Sequence, residues 1–385
     1  IVIIVRLLVP IIHVRFGYFT VERLGHFVFD VEYYFTEKAL KNSQMSYYDI
    51  FFFSGQPANE FYSKMTKRNV LFLNLIRFPF WVNSLLPGYK KHQVIPARRI
   101  PGIGSKDIHG YFRKIPTQLS FNKREDIEGN SFLKSVGMNP KDKFVCLMVR
   151  DSEYLKKEPH LKTKNWSYHD YRDSDIENFT TSVDYLVNKG YFVFRMGKIV
   201  KSKLNFNHPK FLDYANSNYK SPFLDIWLTT NCFFAVTSTF GLSNLAMAFR
   251  RPCALIDAMP LGTIDAITNE NHMWLPKKIQ FKKNNSFLSL YQQIETGAIG
   301  FLRTEDYHNK GLEILDNTPE EILETVVEIE QKLTGAWQVK DNDIEFQNKY
   351  WEILKTWKLF SKYHGEILEK LPDTFLRKNH QWFLK

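Results

Sequence analysis

The sequence has little cysteine and no apolar run long enough to span a membrane. Cys146, Cys232 and Cys253 are the only cysteines in 385 residues, and no C-x-x-C pair occurs. This argues against a zinc or dithiol site, and it fits a reducing compartment with each cysteine as a small buried hydrophobe. The apolar opening, residues 1–17, is broken by charges and by Pro10 and shows no signal-peptide pattern. We expect it to form a first buried strand.

The familiar catalytic and metal-binding motifs are also missing. The chain has no H-E-x-x-H zinc motif, no Walker phosphate loop and no G-x-S-x-G nucleophile elbow. A D-x-D pair, Asp341 and Asp343, lies between predicted helices and not after a strand, where it would hold a metal and a diphosphate. We therefore expect a metal-independent protein with no cofactor apart from a nucleotide-containing substrate.

Acidic residues are fewer than basic ones. The chain has 41 Asp and Glu against 52 Lys and Arg, a formal net charge of +11. Such a balance favours an anionic partner, which could be a phosphate group, a nucleotide, an acidic lipid surface or nucleic acid. Scattered basic residues and the lack of a recognisable nucleic-acid module disfavour nucleic acid. We expect a cytoplasmic protein that works at the inner membrane surface without spanning it.

Strand-like and helix-like stretches alternate twice along the chain, which is typical of parallel sheets covered by helices. The two runs are separated by a proline-punctuated region, residues 76–130, with a loop at 100–110. The sequence predicts an α/β fold with two Rossmann-like domains that face a central cleft. The predicted units are residues 1–140, residues 141–340, and C-terminal helices at 341–385 that pack back on the first domain.

Capping patterns support two of the predicted helices. Thr318-Pro319-Glu320-Glu321 has a capping box with proline at the first helical position. Ser174 to Glu177 shows the same box before residues 176–186, whose apolar positions have helical spacing.

Three predicted strands of the second half end in polar residues. Arg150 and Asp151 follow the first, Arg195 and Gly197 the second, and a Ser/Thr turn the third. The carboxyl ends of parallel strands share the edge at which ligands bind, and arginine forks match a diphosphate. We predict a phosphate site at this edge.

The third strand end, within residues 231–257, is read as strand, tight turn, helix and strand. The helix is expected to start near Leu242, so its N-terminal amides and the hydroxyls before it would hold a phosphate. Gly241 would let the backbone approach the ligand closely. The alternative is that small polar residues simply make a turn. The predicted contacts are Thr237, Ser238, Thr239, Gly241, Leu242 and Ser243.

The polar and aromatic stretch at 165–175 offers candidate acids and bases. His169 is suited to proton transfer near neutral pH, and Asp151 is a second candidate base. The alternative is structural: Asp173 or Ser174 caps the next helix while Arg172 pairs with a carboxylate.

Six segments resemble a group of bacterial glycosyltransferases with the GT-B architecture. They are FVCLMVRDSEYL (144–155), WSYHDYRDSDIENF (166–179), GYFVFRMG (190–197), FAVTSTFGLSNLAMAF (234–249), RLGH (23–26) and NTPEEILETV (317–326). The resemblance implies two Rossmann-like domains, a nucleotide-sugar donor bound mainly by the C-terminal one, and an acceptor bound mainly by the N-terminal one. The implied donor contacts are Arg150, Arg172, Arg195, Gly197 and the 237–243 turn.

By the same resemblance, Arg23, Gly25 and His26 face the cleft on the acceptor side, with His26 as a third candidate base. The implied function is transfer of a sugar to a glycan or lipid-linked acceptor in the synthesis of bacterial surface polysaccharide or glycoconjugate. Two alternatives stay open, namely an epimerase or hydrolase on the same fold and a non-catalytic basic binding protein. The donor base and sugar, the acceptor, the stereochemistry and the oligomeric state are left open by the sequence.

Overall fold

The computed structural model describes residues 1–41, 47–99, 106–158, 165–263, 269–365 and 369–385. The strands within them are β1 (His13–Phe19), β2 (Tyr47–Phe53), β3 (Leu71–Phe72), β4 (Gln93–Val94), β5 (Phe144–Met148), β6 (Phe192–Arg195), β7 (Phe211–Leu212), β8 (Phe234–Thr237), β9 (Cys253–Ala258), β10 (Met273–Pro276), β11 (Lys278–Phe281) and β12 (Leu312–Leu315).

The α-helices within the same residues are α1 (Val2–Leu7), α2 (Leu24–Lys41), α3 (Glu60–Lys67), α4 (Arg77–Ser84), α5 (Tyr111–Lys114), α6 (Lys123–Ser135), α7 (Glu153–Lys157), α8 (Thr180–Asn188), α9 (Pro222–Asn231), α10 (Gly241–Ala248), α11 (Leu290–Thr296), α12 (Thr304–Asn309), α13 (Pro319–Thr334), α14 (Asp341–Lys355), α15 (Phe360–Tyr363) and α16 (Asp373–Phe383). Short 3-10 turns join several of them. No helix of the described part combines the length and the hydropathy needed to cross a bilayer.

The strands form two separate parallel sheets and one small two-stranded antiparallel sheet. The first sheet has the order β3-β2-β1-β4, and the second has the order β10-β9-β8-β5-β6-β7. Strands β11 and β12 pair antiparallel. The predicted α/β fold with two parallel sheets is confirmed.

The central strands of the second sheet are buried along their whole length. Every residue of β5, β8 and β9 is buried, as expected of parallel strands that are covered by helices on both faces. Cys146, Cys232 and Cys253 are buried with free thiols, as predicted.

One of the two predicted capping boxes is present. The Glu321 N–H donates to Thr318 Oγ1 (3.3 Å), and Glu321 Oε2 accepts from the Thr318 N–H (3.0 Å). The other prediction was wrong, because the 3-10 turn at 176–179 is capped by Asp175, whose Oδ1 accepts from the Glu177 N–H (3.1 Å), and not by Ser174.

Residues 1–17 do not form one buried strand. They form α1, whose side chains are mostly exposed, and then β1. The chain turns after the helix, where the carbonyl of Leu8 accepts from the N–H groups of Ile11 and Ile12. The Arg6 guanidinium donates to Asn83 Oδ1 (3.0 and 2.8 Å), which anchors α1 to α4. Tertiary contacts therefore override the strand preference of the β-branched residues.

The C-terminal helices pack mainly on the second half, whereas the sequence predicted that they pack back on the first domain. Helix α14 packs on α11, and α16 packs on α13 and α14. The ring of Trp351 on α14 contacts that of Trp274 on β10, with centroids 6.2 Å apart. The chain before α16 covers the β10 edge of the second sheet, where the Trp274 N–H donates to the Lys370 carbonyl (2.9 Å) and the Lys370 N–H donates to the His272 carbonyl (3.3 Å). At Tyr363, which lies under the Lys106 ammonium group at 5.1 Å, the same segment also reaches the first half.

Helix α6 belongs to the helical layer of the second sheet. The domain boundary predicted from the sequence, near residue 140, would assign it to the first domain. It packs on α9, where Gly129 lies against the ring of Trp227. Trp227 Nε1 donates to Asp126 Oδ1 (3.2 Å). Residues 100–105 of the loop predicted at 100–110 lie outside the described residues.

The two halves meet along α2 and α10. Buried Glu32 on α2 forms an ion pair with Arg250, which follows α10 (3.0 Å). Burial raises the pKa of the Glu32 carboxyl to about 7 although Arg250 opposes that shift. Asn59 Nδ2 donates to the Pro222 carbonyl (2.9 Å) in a second contact between the halves. These contacts fix the walls of the cleft described next.

Candidate functional site

A cleft of about 240 Å³ opens between the two halves. Its walls follow the carboxyl ends of β1 and β2 on one side and of β5, β6 and β8 on the other, which is where open parallel sheets bind ligands. The lining residues are Arg23, Leu24, Gly25, His26, Ala58 and Asn59 of the first half and Val149, Arg150, Asp151, Tyr154, Leu155, Arg172, Gly197, Lys198, Ile199, Val200, Asp225, Phe240, Gly241, Leu242 and Asn244 of the second.

Two helices begin at this cleft, one from each half. In α2 the first intrahelical hydrogen bond runs from the Phe27 N–H to the Arg23 carbonyl (3.0 Å), and in α10 it runs from the Asn244 N–H to the Phe240 carbonyl (3.4 Å). The backbone N–H groups of a first helical turn have no acceptor within the helix, and the N-terminus of a helix carries partial positive charge. Such N-termini bind anions. Two such termini therefore favour a negatively charged ligand between the halves.

Gly25 and Gly241 make this approach of the two helices possible. A Cβ atom on Gly25 would lie 2.9 Å from Asn244 Nδ2 and 3.1 Å from the Gly241 Cα. A Cβ on Gly241 would lie 3.1 Å from the Gly25 nitrogen. The sequence placed Gly25 on the acceptor side and Gly241 at the donor, whereas in the structure the two glycines are in contact.

Arg150 is the most deeply placed cation of the lining. Its side chain is only 8% exposed, and Nε donates to Asp173 Oδ1 (2.9 Å), while buried Nη2 has no hydrogen-bond partner within the described residues. Burial lowers the pKa of Arg150, and the neighbouring positive charge of Arg172 lowers it further. A buried guanidinium that lines a cleft with an unpaired N–H group is well suited to an anion.

Two further arginines lie beside it. Arg172 also lines the cleft, and its Nη2 donates to the Thr239 carbonyl (2.8 Å). Within the described residues it forms no ion pair with a carboxylate, which the structural alternative required. Arg23 lies over the Trp166 ring at 5.3 Å. The three guanidinium groups repel one another, and an anion bound among them would relieve that repulsion.

Arg195 lies elsewhere. Its side chain is 1% exposed, does not line the cleft, and pairs through Nη1 with both Asp213 oxygens (3.3 Å each). The sequence could not show this because a strand-end arginine and its partner 18 residues later carry no recognisable spacing. Gly197, two residues further on, does line the cleft.

The four hydroxyls of the 237–243 turn are buried, and three of them form hydrogen bonds with the backbone. Ser238 Oγ accepts from the Arg150 N–H (2.6 Å), and the Thr237 hydroxyl donates to the Ser238 carbonyl (2.8 Å). Ser243 Oγ accepts from the Phe240 N–H (3.1 Å) and donates to the Phe240 carbonyl (2.5 Å). Buried Thr239 Oγ1 has no hydrogen-bond partner among the described residues. In this turn only Gly241 and Leu242, of the six predicted contacts, line the cleft.

The three candidate bases occupy different positions. Asp151 lines the cleft, but its Oδ1 and Oδ2 accept from the N–H groups of Glu153 and Lys201 (2.9 Å each). His26 lines the cleft in the first turn of α2. His169 is not part of the lining, and burial, together with Arg172 and other nearby arginines, lowers its pKa to about 3.

Several polar residues of the lining were missed by sequence analysis. They are Asn59, Tyr154, Lys198, Asp225 and Asn244. Asp225 has a pKa raised by burial, and its Oδ1 accepts a hydrogen bond from the Tyr214 hydroxyl (3.0 Å). It lies inside α9 in an apolar sequence context. The one feature of the sequence that could have indicated it is that Asp225 is the only acidic residue of this helix.

Within the described residues, no group of three or more His, Cys, Asp or Glu side chains is arranged to hold a metal ion.

No protein-family profile and no curated protein sequence matches the chain. Similar solved structures include glycosyl transferase family 9 from Veillonella parvula DSM 2008 (10% identity, 83% of this chain and 97% of that chain covered, TM-score 0.46). E. coli ADP-heptose LPS heptosyltransferase II is also similar (12% identity, 83% and 99% covered, TM-score 0.43). A third is UDP-GlcNAc 2-epimerase from Methanocaldococcus jannaschii (11% identity, 68% and 89% covered, TM-score 0.31). TM-scores this low carry no functional conclusion.

Proposed function

We propose that the chain is a glycosyltransferase that binds a nucleotide-sugar donor in the cleft, with its diphosphate beside the first turns of α2 and α10, where these two turns meet. The observation that carries the proposal is that two helix N-termini and three arginines, Arg23, Arg150 and Arg172, converge on one cleft between two α/β halves. Cations and helix N-termini at one place match a diphosphate better than they match a neutral ligand.

The same groups suit the chemistry of glycosyl transfer. An acceptor hydroxyl oxygen forms a bond to the anomeric carbon, the bond from that carbon to the terminal phosphate oxygen breaks, and the nucleoside diphosphate leaves with additional negative charge. Donors fixed where this charge develops lower the barrier directly. We expect the Arg150 guanidinium and the α10 amides to act in this way.

The proton of the acceptor hydroxyl must pass to a base. Asp151, His26 and Asp225 line the cleft and are the groups we propose for this role. Asp225 is the best suited of the carboxylates by environment, since its raised pKa makes it a stronger base than an ordinary aspartate. His169 has a pKa of about 3, too low for an effective base at neutral pH.

The acceptor we propose is a glycan or a lipid-linked glycan of bacterial surface polysaccharide or glycoconjugate synthesis, and the reaction needs no metal. The support is the GT-B-like sequence segments, together with the arginines and helix termini, which supply positive charge at the proposed diphosphate. We expect turnover to continue in EDTA and not to increase when divalent cations are added.

A ligand screen by thermal shift tests donor binding. Nucleoside diphosphates should raise the melting temperature because they bind only the folded state, whereas nucleosides should not. Transfer is then assayed with the donor that binds. Release of free sugar or an epimer in the absence of acceptor would favour the hydrolase or epimerase alternative. Binding of nucleic acid that survives physiological salt would favour a binding protein.

A further inference from the structure

Helices α1 and α4 turn apolar side chains outward, and we call these side chains the apolar face. On α4 and the 3-10 turn before it, Leu75 is 80% exposed, Phe78 69%, Trp81 57% and Leu85 66%. Beside them, Ile3, Ile4 and Leu7 of α1 are exposed as well. Single exposed apolar residues are common, but a group of this size on neighbouring helices indicates an interaction surface.

The outward direction of the apolar residues on α4 is fixed by its packing. Leu75, Phe78, Trp81 and Leu85 recur at spacings of three and four residues and so share one side of the helix. The opposite side is buried through residues such as Pro79 and Asn83. Helix α4 therefore cannot rotate to bury Phe78 and Trp81 without exposing its inner side.

Arg6 holds the two helices side by side. It donates to Asn83 Oδ1 on α4 and, through Nη1, to the Pro87 carbonyl (2.8 Å). The exposed side chains of α1 and α4 consequently belong to one continuous surface.

The two chain segments that carry the apolar face have charges of a single sign. Residues 61–106 contain nine Lys or Arg and neither Asp nor Glu, and residues 1–21 contain no acid either. Exposed Arg77 begins α4, and exposed Lys90 and Lys91 follow it. The Lys91 carbonyl is hydrogen-bonded to His13 Nε2 (2.8 Å). The two lysines therefore lie next to the segment that follows α1.

We propose that the apolar face, with its surrounding lysines and arginines, docks on a bilayer that contains anionic lipids. An apolar helix side with aromatic residues and flanking cations lies in the headgroup region of such bilayers. Each nearby lysine or arginine adds attraction to the anionic surface. A second copy of the chain fits less well, because a two-fold contact would bring the same cations together.

The apolar face adjoins the cleft. Arg77 Nη2 donates to the carbonyls of Phe53 (2.7 Å) and Ser54 (3.2 Å), and the loop that starts there continues to Ala58 and Asn59 in the cleft wall. Docking would place the cleft entrance at the bilayer, within reach of a lipid-linked acceptor. This last point rests on the proposed function, while docking itself does not.

Co-sedimentation of the full chain with sucrose-loaded vesicles tests docking. Vesicles of phosphatidylcholine with phosphatidylglycerol should bind the chain at low salt, and vesicles of phosphatidylcholine alone should bind it weakly. Phe78→Ser with Trp81→Ser should lower the partition coefficient about tenfold or more. Lys90→Gln with Lys91→Gln should lower it about tenfold and reduce its salt dependence.

The matched control is Ile127→Ser with Ile344→Ser, which removes two equally exposed apolar side chains from α6 and α14. It should bind vesicles like the unmodified chain. Equal binding by the Phe78/Trp81 variant, or a loss of self-association in that variant while the unmodified chain ignores vesicles, would overturn the proposal. Nucleotide thermal shifts, measured without lipid, should be unchanged in all these variants and so report on the proposed function separately.

Discussion

Gly25 and Gly241 lie so close that a Cβ atom on Gly241 would be 3.1 Å from the backbone nitrogen of Gly25. Gly25 lies in the first turn of α2 in the first half, and Gly241 begins α10 in the second half. The contact therefore couples the spacing of the two halves to the shape of the cleft.

Alanine at either glycine should destabilise the fold by about 1–3 kcal/mol, because the added methyl group overpacks the contact between α2 and α10. Helix propensity alone predicts the opposite sign, a gain of up to about 1 kcal/mol. Urea unfolding of both single variants and the double variant measures the effect. Since each methyl group meets the other helix at the same place, the double variant should cost less than the sum of the single ones. Fully additive or stabilising effects would show that the contact is looser than described.

The burial of His169 predicts a pH dependence of stability. Its folded pKa of about 3 lies below the ordinary value of 6.5, so on acidification the unfolded chain takes up a proton that the folded chain does not. The contribution is full above pH 6.5 and is lost as the pH falls toward 3. Buried His272 and His364, with pKa values of about 3 and 4, act in the same direction.

His169→Gln should therefore lose less stability than the unmodified chain between pH 7.5 and pH 5. The measurement is the free energy of unfolding by urea at both pH values for the two proteins. His272 and His364 contribute equally to both and cancel in the comparison. An identical pH dependence in the two proteins would mean that His169 titrates normally.

Arg195 should contribute to the stability of the fold but not to ligand binding. Arg195→Ala leaves the partly buried Asp213 without its cation and should cost about 3 kcal/mol, since breaking a buried pair is expensive. Because Arg195 does not line the cleft, the folded variant should keep its nucleotide affinity at a temperature well below its melting point. Melting curves and calorimetric titration check both parts. A loss of nucleotide affinity in a folded Arg195→Ala protein would indicate that Arg195 takes part in binding.

The sequence predicted the two alternating α/β runs because buried parallel strands are continuous apolar segments, as in β5, β8 and β9. It also predicted that Arg150, Asp151, Gly197 and Gly241 lie together, since strand ends share an edge. It failed where long-range partners decide the outcome. Arg195 pairs with Asp213, and the apolar residues 2–7 form a helix anchored by Arg6 to Asn83.

The turn at 237–243 illustrates a different limit. Its composition correctly indicated a turn before a helix, but the hydroxyls of Thr237, Ser238 and Ser243 satisfy backbone groups. Composition cannot distinguish a hydroxyl that binds a ligand from one that holds the backbone in place. Asp225 was missed because it lies in α9, whose first half is otherwise apolar. Asn59 was missed because it is an ordinary N-cap of α3, where its Oδ1 accepts from the Tyr62 N–H (2.8 Å).

The most direct test of the account is nucleoside diphosphate binding by Arg150→Ala. The buried Nη2 of Arg150 should contact the diphosphate, so its removal should weaken binding by about tenfold to a hundredfold, the worth of a charge-assisted hydrogen bond. Calorimetric titration is run beside melting curves, with Arg124→Ala, an exposed arginine on α6 outside the cleft, as the matched control. We predict weakened binding in Arg150→Ala with a cooperative melt, and unchanged binding in Arg124→Ala. Unchanged nucleotide affinity in a well-folded Arg150→Ala protein would contradict the placement of the donor site.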